Sequence, residues 1–254
     1  MSANPMDLSG RTLLITGASS GIGRECAVLL SSLNARLVIA GRDKGKLEQT
    51  LSSLTGAGHT IETFDLSATD QIVDWVRKIA GQAGPLHGFV HSAGKQLTAT
   101  IRSMSLAAIE DQMRVNLYSS MMLARGFCQR GCFVKGGSMV FISSIMGSLG
   151  KPAISAYCAS KAAILGLTRS LALELVKDKI RVNCITPAYV VGTEMSANLK
   201  ELMLPEQWSA LEAEHPLGLG TPRDVANAAA FLLADTGRWI TGTALVVDGG
   251  YSAQ

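Results

Sequence analysis

Seven short apolar runs, separated by longer stretches of helical character, constrain this chain more than any other feature. TLLIT (12–16), RLVIA (36–40), HTIET (59–63), GFVH (88–91), SMVFI (138–142), RVNCI (181–185) and TALVV (243–247) carry strand chemistry. Most are continuously apolar rather than alternating, as expected of strands covered on both faces in a parallel sheet. Helical segments fall at 22–33, 44–54, 69–82, 105–131, 155–177 and 223–234. Thr69-Asp70 and Pro222-Arg223-Asp224 read as helix starts, and Gly84-Pro85 as a stop. Strand–helix alternation with short connections implies right-handed crossovers. The expected fold is a single α/β domain over 1–254, with a doubly wound parallel sheet of about seven strands and helices on both faces.

Composition narrows the function. Hydrophobic residues make up 47% of the 254 and charged residues 17%, enough for a large core and too few charges for a disordered chain. The net charge of +3 carries no run of like charges, so no nucleic-acid partner is expected. No apolar run approaches the roughly 18 residues of a membrane span, and MSANPMDLSG lacks the apolar core of a signal peptide. Cys26, Cys128, Cys132, Cys158 and Cys184 are odd in number and show no C-x-x-C, which reads as core thiols in a reduced, cytoplasmic protein. His59, His87, His91 and His215 lack metal-ligand spacing, so no metal site is expected. The stretch 186–222, with Pro187, Gly192, Pro205, Pro216 and Pro222, breaks the rhythm; it reads either as a substrate-covering segment or as a surface connector.

The first strand runs into TGASSGIG (16–23), where Gly17, Gly21 and Gly23 precede a helix. Glycines let the backbone turn tightly and approach a ligand, and the free N–H groups at a helix start attract phosphate. At this place in a Rossmann-type fold, the turn points to a dinucleotide. The second strand ends in AGRDK. Gly41 stands where an acid would bind the adenosine ribose, and the Arg42 guanidinium suits a 2′-phosphate, so NADP(H) is expected over NAD(H). Asp43 next door reads either as that acid or as a helix cap.

In SAYCASK (155–161), Tyr157 stands four residues before Lys161 with only small residues between, so both side chains project from one helix face. TGASSGIG, HSAG (91–94), Asn116, FISSIMG and YCASK follow in order. In that combination the chain resembles the short-chain dehydrogenase/reductase family, in its single-domain branch, from Gly10 to the terminal VVDGGYSAQ. Among its members it is most similar to the 3-oxoacyl-acyl-carrier-protein reductases. The resemblance implies catalytic roles for Asn116, Ser144, Tyr157 and Lys161. It implies cofactor contacts from Gly17, Ser19, Ser20, Gly21, Ile22, Gly23, Arg42, Asp65, Leu66, Ala93 and Gly94. It extends them to Tyr157, Lys161, Pro187, Val190 and Thr193. HSAG replaces the family's N-N-A-G, so His91 and Ser92 stand for two asparagines. TPAYVVGTEM (186–195) departs from P-G-x-x-x-T at Ala188 and by one added residue before Thr193.

These residue types suit carbonyl reduction. A phenol can protonate the developing alkoxide, but its ordinary pKa of about 10 is high for that task. A cation within about 4–6 Å, here Lys161, favours the phenolate and would lower it by roughly one to three units. Ser144 would hydrogen-bond the carbonyl oxygen. Lys161 would also hold the nicotinamide ribose, and the resemblance implies that Asn116 holds a water leading to solvent. The expected activity is NADPH-dependent interconversion of a ketone and a secondary alcohol, with a 3-oxoacyl thioester as the favoured substrate. Alternatives are a sugar, polyol, steroid or xenobiotic carbonyl, or a non-catalytic dinucleotide-binding protein. Lys135, Arg125 and Arg130 read either as a docking patch for acyl-carrier protein or as a solvated face. The apolar runs MMLARGFC and AAILGLTRSLALELV imply burial against the sheet, against a partner or both, and a homotetramer is expected.

Overall fold

A computed structural model describes residues 4–201 and 203–253. Seven parallel strands form one sheet in the order β3-β2-β1-β4-β5-β6-β7. They are β1 (Thr12–Thr16), β2 (Arg36–Gly41), β3 (Thr60–Thr63), β4 (Leu86–His91), β5 (Phe133–Ile142), β6 (Arg181–Pro187) and β7 (Ala244–Val247). Alternate residues of each central strand enter two different cores. Leu13 and Ile15 of β1 pack with α1 (Gly21–Ser32) and α9 (Pro222–Leu233), while Leu14 packs on the opposite side. That second core is covered by α3 (Ile72–Ala83), α5 (Ser119–Phe127) and α6 (Ser155–Glu174). Burial on both faces is why the central strands read as unbroken apolar runs. The edge strands β3 and β7 are only half-buried.

The expected elements form close to their places. β5 departs, beginning at Phe133 rather than at 138. Leu86 pairs with Phe133 and Gly88 with Ser138, so residues 134–137 bulge out of the ladder. Gly136 at φ +87° permits this, and a Cβ on Gly137 would lie 2.9 Å from the His87 carbonyl. The helix expected over 105–131 is α4 (Leu106–Met113) and α5 joined by a wider π-type turn, Arg114–Tyr118. The Ser119 N–H reaches back to the Arg114 carbonyl, five residues away. Gly84 at φ +82° stops α3. Asp224 starts α9, its carboxylate accepting from the Thr221 N–H and hydroxyl at 2.7 Å each.

The segment 186–222 carries two helices, α7 (Glu194–Glu201) and α8 (Pro205–Ala213). Leu202 lies outside the described residues. A last helix, α2 (Lys44–Ser52), flanks β2. Among the described residues no helix is long and apolar enough to cross a membrane.

Candidate active site

The strand order reverses between β1 and β4, and ligands bind doubly wound sheets at that crevice beyond the strand C-termini. The glycine turn lies there. Gly17 (φ +70°) and Gly21 (φ +51°) adopt backbone conformations that L side chains avoid. A Cβ on Gly17 would sit 2.8 Å from the Ala93 nitrogen, and one on Gly23 2.2 Å from the Gly17 carbonyl. The turn therefore closes on itself and on HSAG, leaving a cradle walled by backbone. Ser20 precedes α1 without a side-chain cap, which leaves N–H groups at the helix start for an anion.

Around the second strand the groups divide their work. The Asp43 carboxylate accepts from Lys46 N–H at 3.0 Å, so of its two readings it is the α2 cap. A Cβ on Gly41 would lie 3.2 Å from the Ser19 hydroxyl, which therefore occupies the space an acid would need. The Arg42 side chain is exposed, close enough to Asp65 for its charge to be felt there. Asp65 is held below the usual carboxylate range, first by the Ser67 N–H that it accepts at 2.9 Å and then by Arg42 and Lys95. Leu66 is buried in the second core. These residues, with the glycine cradle, fit an adenine dinucleotide. Among the described residues no three His, Cys, Asp or Glu side chains form a group that could hold a metal ion.

The four expected catalytic residues converge from three elements. Ser144 follows β5; its hydroxyl accepts from Met146 N–H at 3.2 Å and lies close enough to Tyr157 to favour its phenolate. Tyr157 and Lys161 lie one turn apart in α6, both buried. The Lys161 ammonium lies 5.7 Å from the centre of the Tyr157 ring and donates to the Ile142 carbonyl at 2.9 Å. Asn116, in the π-type turn, accepts from Lys95 N–H at 2.9 Å and donates to the Lys95 carbonyl at 2.9 Å and the Ser160 hydroxyl at 3.0 Å. A Cβ on Gly94 would lie 3.5 Å from both the Asn116 amide oxygen and the Lys161 ammonium, so the two flank that glycine.

The phenol is raised, not lowered as expected from the neighbouring Lys161. Burial pushes Tyr157 up to about 12, with the Ser144 hydrogen bond opposing it. Burial also pushes Lys161 down to about 8. With water excluded, each charged form loses hydration, the larger cause of both shifts. At neutral pH the phenol keeps its proton while the lysine remains charged, the combination a proton donor to an alkoxide requires.

These residues face a cavity of about 560 Å³ that reaches Pro187, Val190 and Thr193 and is covered by α7 and α8. Thr193 starts α7: its hydroxyl accepts from Ser196 N–H at 3.0 Å while the Ser196 hydroxyl accepts from Thr193 N–H at 3.0 Å. Its side chain lies over the glycine turn, 3.1 Å from where a Gly21 Cβ would be. A Lys46–Glu194 ion pair at 2.5 Å ties α7 to α2. The Tyr189 hydroxyl donates to the Ser196 carbonyl at 2.8 Å, and its ring meets Trp208 of α8 edge-on at 5.7 Å. Gln207, Glu214, His215 and Tyr251 also line the cavity and were not singled out from the sequence as site residues. Gln207, Glu214 and His215 lie in the proline-broken segment beyond TPAYVVGTEM, and Tyr251 near the C-terminus, where no spacing marks them as site residues. Ser160 could have been found, because it stands inside SAYCASK on the face between Tyr157 and Lys161.

Arg125, Arg130 and Lys135 sit elsewhere. They flank the loop from α5 into the start of β5, at the opposite end of the strands from Ser144 and the cavity. All three are exposed and none lines the cavity, so they form no docking patch at its mouth.

A seven-stranded doubly wound sheet, a glycine cradle at its switch point and a Ser–Tyr–Lys cluster beside it define a nucleotide-dependent oxidoreductase of the single-domain kind. The chain belongs to the short-chain dehydrogenase/reductase family. The family model described as enoyl-(acyl carrier protein) reductase matches residues 17–252. The 3-oxoacyl-[acyl-carrier-protein] reductase FabG of Rickettsia conorii is 35% identical over 96% of this chain and 98% of its own. Glucose 1-dehydrogenase of Gluconobacter oxydans is 32% identical over 95% and 92%. A crystal structure of a protein assigned as an NAD(P)-dependent gluconate 5-dehydrogenase from Beutenbergia cavernae, with NADP bound at low occupancy, superposes with a TM-score of 0.91. It is 31% identical, over 99% of this chain and all of that one.

Proposed function

We propose that this chain is a cytoplasmic, NADPH-dependent reductase that interconverts a ketone and a secondary alcohol, with a 3-oxoacyl thioester as its substrate. The observation that carries the reading is the convergence of Ser144, Tyr157 and Lys161 on one cavity beside the glycine cradle. The thioester is supported by the relatives named as 3-oxoacyl-[acyl-carrier-protein] reductases, 31–35% identical over nearly full length. NADPH over NADH is supported by Gly41 against Ser19, by exposed Arg42 and by Asp43 being engaged as a cap.

When bound, the nicotinamide supplies the hydride. The chain's own residues do the rest. Ser144 donates a hydrogen bond to the substrate carbonyl oxygen, orienting it and stabilising the charge that grows there. Tyr157 delivers its proton to that oxygen. The Lys161 cation, one turn on, stabilises the phenolate left behind and holds the cofactor ribose. Asn116, whose amide is fixed by Lys95 and Ser160, holds the water through which Lys161 reaches solvent. The segment 186–222, through α7 and α8, excludes bulk water and strengthens each of these interactions.

The test follows NADPH oxidation with acetoacetyl-CoA for wild type and Tyr157→Phe. Turnover by wild type, lost in the variant with NADPH affinity kept, is the expected result. Wild type that binds NADPH and reduces no carbonyl would sink the enzyme reading in favour of a binding protein. A second reading, a sugar or polyol substrate, draws on Lys151, Gln207, Glu214 and Tyr251 in the cavity wall, since such groups pair with hydroxyls. Turnover of keto-sugars without turnover of the thioester would select it.

A homotetramer is supported by apolar side chains left exposed on the two helices expected at an interface. Met121 of α5 is 48% exposed and Leu173 of α6 78%, while Leu123, Phe127, Ile164 and Leu165 are buried against the sheet. Light scattering at micromolar concentration that gives a monomer would contradict it.

A further inference from the structure

His91 stands where the family motif has an asparagine, and the chemistry above does not use it. It ends β4 and is fully buried, paired in register with Thr16 at the end of β1 and with Phe141 of β5. Both ring nitrogens are engaged. Nδ1 lies 2.7 Å from the Thr16 hydroxyl and Nε2 3.1 Å from the Ser119 hydroxyl. The Ser119 hydroxyl donates its one proton to the Val115 carbonyl at 2.5 Å. It must therefore accept from Nε2–H, which leaves Nδ1 to accept from Thr16. Burial, with the nearby Lys161 charge, pushes His91 down to about 3, so the ring stays neutral and keeps this tautomer.

Ser119 closes the π-type turn that carries Asn116. In that turn the Ser119 N–H bonds the Arg114 carbonyl, five residues back, and turns this wide are rare inside helices and frequent at functional sites. The Ser119 and Ser120 hydroxyls answer the Val115 and Asn116 carbonyls within it. The Nε2–H bond is the one that ties these groups to the end of the sheet.

We propose that His91 is a positioning residue, locking the turn Arg114–Tyr118 to the last rung of β1 and β4 and so holding the Asn116 amide between Lys95 and Ser160. The proposal rests on the reading of Asn116 as part of the proton path. An asparagine in place of His91 reaches less far, so the chain has a histidine where a longer bridge to Ser119 is needed.

Ser119→Ala breaks the bridge and leaves the imidazole in place; His91→Leu removes the ring's polarity. The expected outcome for each is a fall in kcat of about tenfold, with KM and NADPH affinity within about twofold of wild type. In an Asn116→Ala background, His91→Leu should cost less than about twofold more, because it acts through Asn116. His91→Asn, which reaches less far than the imidazole, should lose about as much kcat as His91→Leu. Hydrogen exchange of the cofactor-free protein over 112–121 should speed up in both bridge variants. Fully additive losses in the Asn116→Ala background, or unchanged exchange over 112–121, would overturn the proposal. The exchange arm needs no substrate, so a wild type inactive on acetoacetyl-CoA would defeat the thioester reading and leave this test intact. Ser119→Ala keeps it decisive if His91→Leu does not fold.

Discussion

Replacing Lys161 by methionine should stabilise the cofactor-free protein at neutral pH while removing its activity. The side chain is fully enclosed, and burial moves its pKa from 10.5 to about 8. That difference corresponds to roughly 3 kcal/mol of disfavour for the charged form in the folded chain. The sign follows from proton counts. Between about 8 and 10.5 the unfolded lysine holds its proton and the folded one has lost it, so this group makes stability rise with pH through that window. Below about 8 both states are protonated and the full penalty stands. Methionine has similar length and no charge, so it escapes the penalty, but it forfeits the 2.9 Å bond to the Ile142 carbonyl, about 1 kcal/mol. The expected gain at neutral pH is therefore about 2 kcal/mol, shrinking and reversing as pH approaches 10.5. Urea unfolding of both proteins across this range measures it, and the difference between the curves isolates Lys161 from groups common to both. Tyr157 acts later and oppositely: raised to about 12, it makes stability fall as pH climbs from 10 towards that value. A variant less stable than wild type at neutral pH, or a difference that does not change with pH, would refute the reasoning.

Three further outcomes follow from the geometry. Arg42→Ala should lower the preference for NADPH over NADH by about tenfold, because the 2′-phosphate loses a charge-assisted partner; binding titrations with both cofactors check it. Gly23→Ala places a Cβ 2.2 Å from the Gly17 carbonyl, a backbone atom that cannot yield, so calorimetry should find dinucleotide binding abolished. Tyr157→Phe should lower kcat at least about a hundredfold while leaving NADPH affinity within about twofold, read from single-turnover kinetics and fluorescence titration.

The fold was legible because its signal is local. Runs such as LLI in β1 and MVFI in β5 are apolar on both faces, and only a covered sheet buries both. The glycine turn was legible for the same reason, as its backbone constraint lies within eight consecutive residues. SAYCASK showed its two reactive groups because a helix brings residues four apart onto one face. By itself, then, the sequence determined the strand set, the cradle and the identity of the reactive side chains. How those side chains are tuned and held depends on packing between elements far apart in the chain. Burial, which no spacing reports, set the Tyr157 proton against the Lys161 charge. The π-type turn at Asn116 depends on partners 21 and 44 residues away, Lys95 and Ser160. Arg125, Arg130 and Lys135 lie around the far end of the strands from the cavity because α5 runs antiparallel to the strands. The cavity walls come from α8 and Tyr251, distant in the chain and brought together by packing. Interactions within one turn or strand are written in local order; those between elements exist only after the chain has closed on itself.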